Sequence, residues 1–213
     1  AASDVYKRQE ENKALRLQNA LLKMSNNQFR QELIKQKKYE DVKQLYNDLA
    51  LRFINTDIIG FDPFSQSKTI LVNKGEVHGV KLNSAVVSVD GLVGKVIEVH
   101  KKSAKILLVV DHYFSVDAIV KNSNLRCLVS GMRTGNLQMN KLPYLSQVEF
   151  IQHSLELDVG DELVTSGMSD IFPKGISVGR VIKNYLSDSG QLEKSLVLPS
   201  VDFSKLDLSL IHI

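Results

Sequence analysis

The chain has 213 residues, 43 % hydrophobic and 24 % charged, with a net charge of +3. That composition can bury the core of one or two compact domains and excludes global disorder. A single cysteine, Cys127, excludes an intramolecular disulfide and a CxxC zinc site, and leaves the redox compartment open.

No apolar stretch approaches the ~20 residues that cross a bilayer, and no secretory leader is visible, so the chain as written is expected to be soluble. Both extreme ends read as translated adapter sequence. Residues 1–9 and 207–213 are therefore set aside as non-native, and the natural protein is expected to extend further, at least on its N-terminal side.

The first 59 residues contain neither glycine nor proline. They are rich in Leu, Lys, Gln, Glu and Arg, which lose little on entering a helix. Residues 10–54 are expected to form one coiled-coil helix of ~65 Å. Leu15, Leu22 and Phe29 recur every seven residues. If they occupy d positions, Asn12, Asn19, Asn26 and Leu33 fall at a, where buried Asn lowers stability but favours in-register pairing of two strands. Tyr39, Val42, Tyr46, Leu49 and Phe53 then follow a 3-4-3-4 spacing. The two stripes are out of phase across residues 35–38, so the seam must shift or rewind there. Leu17, Leu21 and Met24 form a competing stripe. A parallel dimer is the favoured reading, and an amphipathic helix folded back on the rest of the chain is the alternative. Residues 1–56 hold 11 Lys/Arg against 7 Asp/Glu, and the remainder holds 16 against 17. Glu32, Glu40 and Asp41 interrupt the basic residues, which favours a solvated mixed-charge helix over a nucleic-acid or lipid-binding one.

After residue 57 the apolar period changes to two, as in an all-β barrel or sandwich. Candidate strands are 68–73, 84–89, 92–99, 105–110, 114–120, 126–130, 147–151, 162–165, 176–183 and 195–201. Asp90-Gly91 between two of them is a hairpin signal. Pro199 would place the last strand at an edge. There is a faint repeat: Gly91-Leu92-Val93-Gly94-Lys95-Val96-Ile97 echoes Gly175-Ile176-Ser177-Val178-Gly179-Arg180-Val181-Ile182. In each copy a turn glycine (Gly91, Gly175) leads into a strand with a glycine inside (Gly94, Gly179), the mark of a bulge or barrel corner. Gly167 closes a further turn in Thr165-Ser166-Gly167. Two copies point to two similar small barrels, against the alternative of coincidence among Val/Gly-rich strands.

Several ordered blocks resemble the rod shape-determining protein MreC family. They are Lys74-Gly75 with Gly79-Val80, Asp90-Gly91-Leu92-Val93-Gly94-Lys95-Val96, Leu107-Leu108-Val109-Val110-Asp111, and Gly131. Val159-Gly160-Asp161, Leu163-Val164-Thr165-Ser166-Gly167, Phe172-Pro173-Lys174-Gly175, Val178-Gly179-Arg180-Val181 and Pro199-Ser200-Val201-Asp202 with Leu206 follow in the same order. The resemblance implies a mainly β chain with a long N-terminal helix: a coiled coil followed by two small six-stranded β-barrels. It implies an upstream membrane anchor missing from this chain, with these domains on the outer side of the cytoplasmic membrane. It also implies homodimers or higher self-assembly. The partners it implies are MreB, MreD, RodA and a class B penicillin-binding protein, in a complex that directs peptidoglycan synthesis and cell shape. The expected arrangement is one barrel from 57–83 plus 146–206 with a second, 84–145, inserted in it; simple succession along the chain is the alternative.

Paired barrels also occur in chymotrypsin-like proteases, and His100, Asp111 and Ser166 occur in that chain order. Ser166 follows a strand in Thr-Ser-Gly, without the exposed turn and oxyanion hole a nucleophile needs, so no catalytic residue is assigned. His78, His100, His112, His153 and His212 are scattered without metal-ligand spacing, and no phosphate loop or dinucleotide fingerprint is present; no metal or cofactor is expected. A nucleic-acid-binding barrel would need a basic groove with aromatic platforms, which the β region lacks. The expected role is a non-enzymatic scaffold whose barrels offer surfaces and strand edges to partners.

Overall fold

The computed structural model describes residues 2–47, 53–61, 67–132, 144–149, 157–186, 192–204, 206 and 208–212. The chain divides into two compact units, residues 1–45 and 46–213. The first is the helix α1, Ala2–Asn47. It runs unbroken through residues 35–38, where the change of apolar phase predicts a shifted seam or a rewound backbone. It also takes in residues 2–9, set aside above as foreign to the fold. No helix among the described residues is long and apolar enough to cross a membrane.

The described residues of the second unit form twelve strands: β1 Phe53–Phe61, β2 Thr69–Val72, β3 Ala85–Val87, β4 Leu92–Val99, β5 Ala104–Leu108, β6 Ser115–Val120, β7 Arg126–Gly131, β8 Ser146–Glu149, β9 Glu162–Thr165, β10 Ser177–Leu186, β11 Leu192–Pro199 and β12 Leu208–His212. Each sheet closes on itself, in the orders β1-β12-β3-β4-β5-β2 and β10-β11-β8-β7-β6-β9. All pairings are antiparallel.

Three expectations are corrected here. The inserted barrel is not 84–145. It comprises β6 to β11, and the flanking barrel is completed by β12. Residues 208–212, set aside with the rest of 207–213, are part of the fold: β12 pairs with both β1 and β3, and Ile211 is fully buried. Phe53 and Ile54, assigned to the helix, start β1, which runs through a β-branched series the helical spacing had masked. Because both barrels close, no whole strand is left at an edge, and only the β10–β11 hairpin runs on past β9 and β8 among the described residues, at Lys183–Leu186 and Leu192–Lys194. For the same reason Pro199 does not mark an edge strand. It ends β11 opposite Gly179, beyond the 195–197 span that pairs with β8, where its missing N–H breaks no ladder bond.

The repeated segments occupy equivalent places. Each forms the strand after a turn, and each carries an extra residue just before its inner glycine. Val93 is extra where β4 pairs with β3, and Val178 where β10 pairs with β9. At Gly94 a Cβ would lie 1.9 Å from the Leu107 carbonyl oxygen of β5; at Gly179 it would lie 2.5 Å from that of Leu198 in β11. Glycine thus lets the bulged strand bend sharply against its neighbour. The hairpin loop itself is Val89-Asp90 rather than Asp90-Gly91. Ser88 and Gly91 close it by exchanging backbone hydrogen bonds of 2.8 and 3.3 Å.

Candidate interaction surfaces

The large apolar side chains described in α1 are uncovered. Leu15, Leu22, Phe29 and Leu33 are all exposed, and so are Leu17, Leu21 and Met24 of the competing stripe. Tyr39, Val42 and Tyr46 lie on the same helix, with side chains outside the described residues; Leu49 lies outside them altogether. A helix with this much bare aliphatic surface lacks the cover that normally stabilises amphipathic helices in water.

The three residues in protease order are committed elsewhere. His100 Nε2 pairs with Glu98 Oε1 at 3.2 Å on the surface of the first barrel. The carboxylate of Asp111, itself buried, accepts the backbone N–H groups of Lys68 and Tyr113 and has His112, not His100, as its nearest imidazole at 3.8 Å. Ser166 Oγ accepts the Met168 N–H at 3.2 Å, capping its own turn. Gly167 sits in that turn at φ +74°, and Gly175 has φ +90°.

The blocks that carry the family resemblance prove to be joints. Thr165, fully buried, donates its backbone N–H to the Ile176 carbonyl and accepts the Gly175 N–H at its own carbonyl, both at 2.9 Å, while its hydroxyl accepts the Ile176 N–H at 2.9 Å and donates to the Pro173 carbonyl. Together they lock the loop from β9 to β10. Its Phe172 sets an edge against Phe114, ring centroids 5.7 Å apart, on the link between the barrels.

That link, residues 109–114, is buried for most of its length: Val109, Val110, Asp111 and Phe114 are at most 1 % exposed. The first barrel holds it through Lys68, which gives its backbone N–H to Asp111 and its ammonium to the Val110 carbonyl at 3.1 Å. Burial lowers the Lys68 pKa, and the neighbouring Asp111 charge opposes the shift. The second barrel holds the link through Ser146, whose hydroxyl donates to the Val109 carbonyl at 3.1 Å. It also does so through Gly131, where a Cβ would lie 2.1 Å from the Asp111 carbonyl oxygen. A further contact joins the two repeats. Gly91, at φ +146°, leaves no room for a Cβ, which would lie 2.3 Å from the Ser177 carbonyl oxygen. Lys68, Ser146 and Ser177 were not singled out in the sequence, because nothing local distinguishes a lysine or serine that bridges elements 30 or more residues apart.

On the outside of the second barrel, Glu162 accepts from Lys121 at 2.9 Å and Arg180 at 3.1 Å, tying β6, β9 and β10 together. Those two hydrogen bonds, Lys121 first, hold its carboxyl below the ordinary glutamate value. Cys127 is buried, and desolvation, helped by the Asp117 charge, pushes its thiol up to about 12. Among the described residues no group of His, Cys, Asp and Glu could hold a metal ion.

The fold can be placed among known proteins. The family model described as rod shape-determining protein MreC, barrel core, matches residues 58–212. The chain belongs to the MreC family. The cell shape-determining protein MreC of Escherichia coli (strain K12) is 32 % identical over 178 residues, covering 80 % of this chain and 44 % of that protein. The chain thus spans less than half the length of that relative. A solved MreC structure matches with a TM-score of 0.72 at 25 % identity, covering 85 % of this chain and 99 % of the other. At 19 % identity and a TM-score of 0.55, the fold also matches a solved complex between Penicillin-Binding Protein (PBP2) and MreC from Helicobacter pylori, covering 76 % of this chain and 99 % of the other.

Proposed function

We propose that this chain is a non-enzymatic scaffold of the bacterial elongation machinery, one that maintains cell shape by organising peptidoglycan synthesis proteins at the membrane. The observation that carries the reading is the junction of an uncovered apolar helix with a β unit of the MreC family. In this reading Leu15, Leu22, Phe29 and Leu33, continued by Tyr39, Val42, Tyr46 and Leu49, pair two copies of α1 as a parallel coiled coil. The low-register Asn12, Asn19 and Asn26 make that half of the seam weak but specific in alignment.

The barrel unit presents the face that meets a class B penicillin-binding protein, a reading supported by the H. pylori complex of the same fold. RodA, MreD and MreB complete the assembly, and an upstream anchor holds the barrels on the outer side of the cytoplasmic membrane. The closed barrels favour docking through side-chain faces over strand addition.

Light scattering on the chain tests the pairing. A dimer that Leu22→Glu with Phe29→Glu converts to monomer is expected. A monomer at every concentration up to about millimolar would remove the coiled-coil half of the proposal.

A further inference from the structure

We infer that the end of the first barrel where β1 begins is a binding surface for anionic phospholipid headgroups. Two loops meet there, residues 73–84 between β2 and β3 and residues 100–103 between β4 and β5. The Glu76 N–H donates to the His100 carbonyl at 3.0 Å and the Val77 N–H to the Lys101 carbonyl at 3.2 Å. The loops are seated against the start of β1. The Asn73 N–H donates to the Asp57 carbonyl at 3.1 Å, and a Cβ on Gly79 would come 4.0 Å from Ile54 Cδ1. The second barrel docks at the opposite end, through Gly91 and the Lys68–Asp111 contact.

The charge of the two loops is one-sided, with the carboxylates of Glu98, 3.2 Å from His100, and Asp57, which accepts from Asn73, at their flanks. The two loops carry Lys74, Lys81, Lys101 and Lys102 against a single carboxylate, Glu76, within a β region whose overall balance is −1. None of these lysines has an ion-pair partner among the described residues. Between the lysines stand two bare aliphatic side chains, Val77 at 57 % and Leu82 at 60 % exposure. Val80, buried between them, pins the loop to the core, so this display is held rather than floppy.

Lysines around protruding aliphatic groups match a bilayer interface. The ammonium groups reach phosphate while Val77 and Leu82 enter the headgroup–acyl boundary. Neither loop contains Phe, Tyr or Trp, so the stacking platforms that nucleic acids use are absent. The inference goes beyond the scaffold reading and does not need it, because the surface belongs to the barrel alone.

Cosedimentation of the full chain with vesicles of phosphatidylcholine, with and without phosphatidylglycerol, tests it. Partitioning onto the phosphatidylglycerol vesicles is expected to be at least about tenfold stronger and to be lost at high salt. Lys81→Glu with Lys102→Glu should abolish it. Val77→Ser with Leu82→Ser should weaken it severalfold with the fold retained, since both side chains are exposed. Equal binding to both vesicle types, undiminished binding by either double variant, or binding to soluble polyphosphate with none to vesicles would each overturn the inference.

Discussion

The backbone N–H of Lys68 donates to the carboxylate of Asp111, and the Lys68 ammonium reaches back to the Val110 carbonyl at 3.1 Å. Two residues 43 positions apart thus fasten the start of β2 to the link that leaves the first barrel. Asp111 is 1 % exposed, so water cannot replace it. Asp111→Ala is expected to lower stability by about 1–3 kcal/mol, because it removes the buried acceptor shared by the Lys68 and Tyr113 backbone N–H groups. Asp111→Asn keeps an acceptor and should cost less. Urea unfolding of the three proteins measures both.

Gly91 and Gly160 separate two kinds of glycine. Both have positive φ, +146° and +105°, but a Cβ on Gly160 would meet nothing within 4 Å whereas one on Gly91 would strike the Ser177 carbonyl. Gly160→Ala carries backbone strain alone, about 1 kcal/mol or more. Gly91→Ala must also displace the second barrel, so its loss of melting stability should be clearly larger. Equal losses would mean that the Gly91–Ser177 contact contributes nothing to how the barrels dock.

Much of this architecture was legible in the sequence because it is local. The period of two, the turn glycines and the repeat located ten strands, and β4 and β9 were read with the bounds the structure shows. What was missed is non-local. β1 lay against the end of a helical pattern, and β12 lay in a tail whose composition looked foreign. The partition into barrels depends on which distant strands pair, and the first barrel closes only when β12 returns to β1 across the whole second barrel. The family blocks were visible as residues but not as joints: only the fold reveals that Thr165 bonds Ile176 and that Phe172 meets Phe114.

Glu162 gives a pH signature. Its carboxyl is held below the ordinary glutamate value by Lys121 and then Arg180. A carboxyl whose folded pKa is depressed stabilises the fold above its unfolded pKa, and that contribution fades as pH falls through the lower folded value. The stability difference between the protein and Glu162→Gln should therefore be present at neutral pH and vanish in acid. High salt should shrink it as well, because the three side chains are exposed. Thermal melts at several pH values read both trends; a difference that grows in acid would reverse the assigned sign.

Cys127 should be inert in the folded chain. It is buried, with a thiol pushed up to about 12, so almost no thiolate exists at neutral pH. A disulfide reagent should modify it only at the rate of unfolding, and urea should accelerate the reaction sharply. Fast stoichiometric labelling without denaturant would show that β7 opens far more readily than its place in a closed barrel implies.

The most direct test of the scaffold role is a titration of this chain against the extracytoplasmic region of the class B penicillin-binding protein encoded in the same genome. A saturable complex with a Kd of about 10 µM or tighter is expected. Charge reversals on the outer faces of the barrels should weaken it without lowering the melting temperature. A folded chain that forms no complex at about 100 µM would contradict the docking role at the centre of the proposed function.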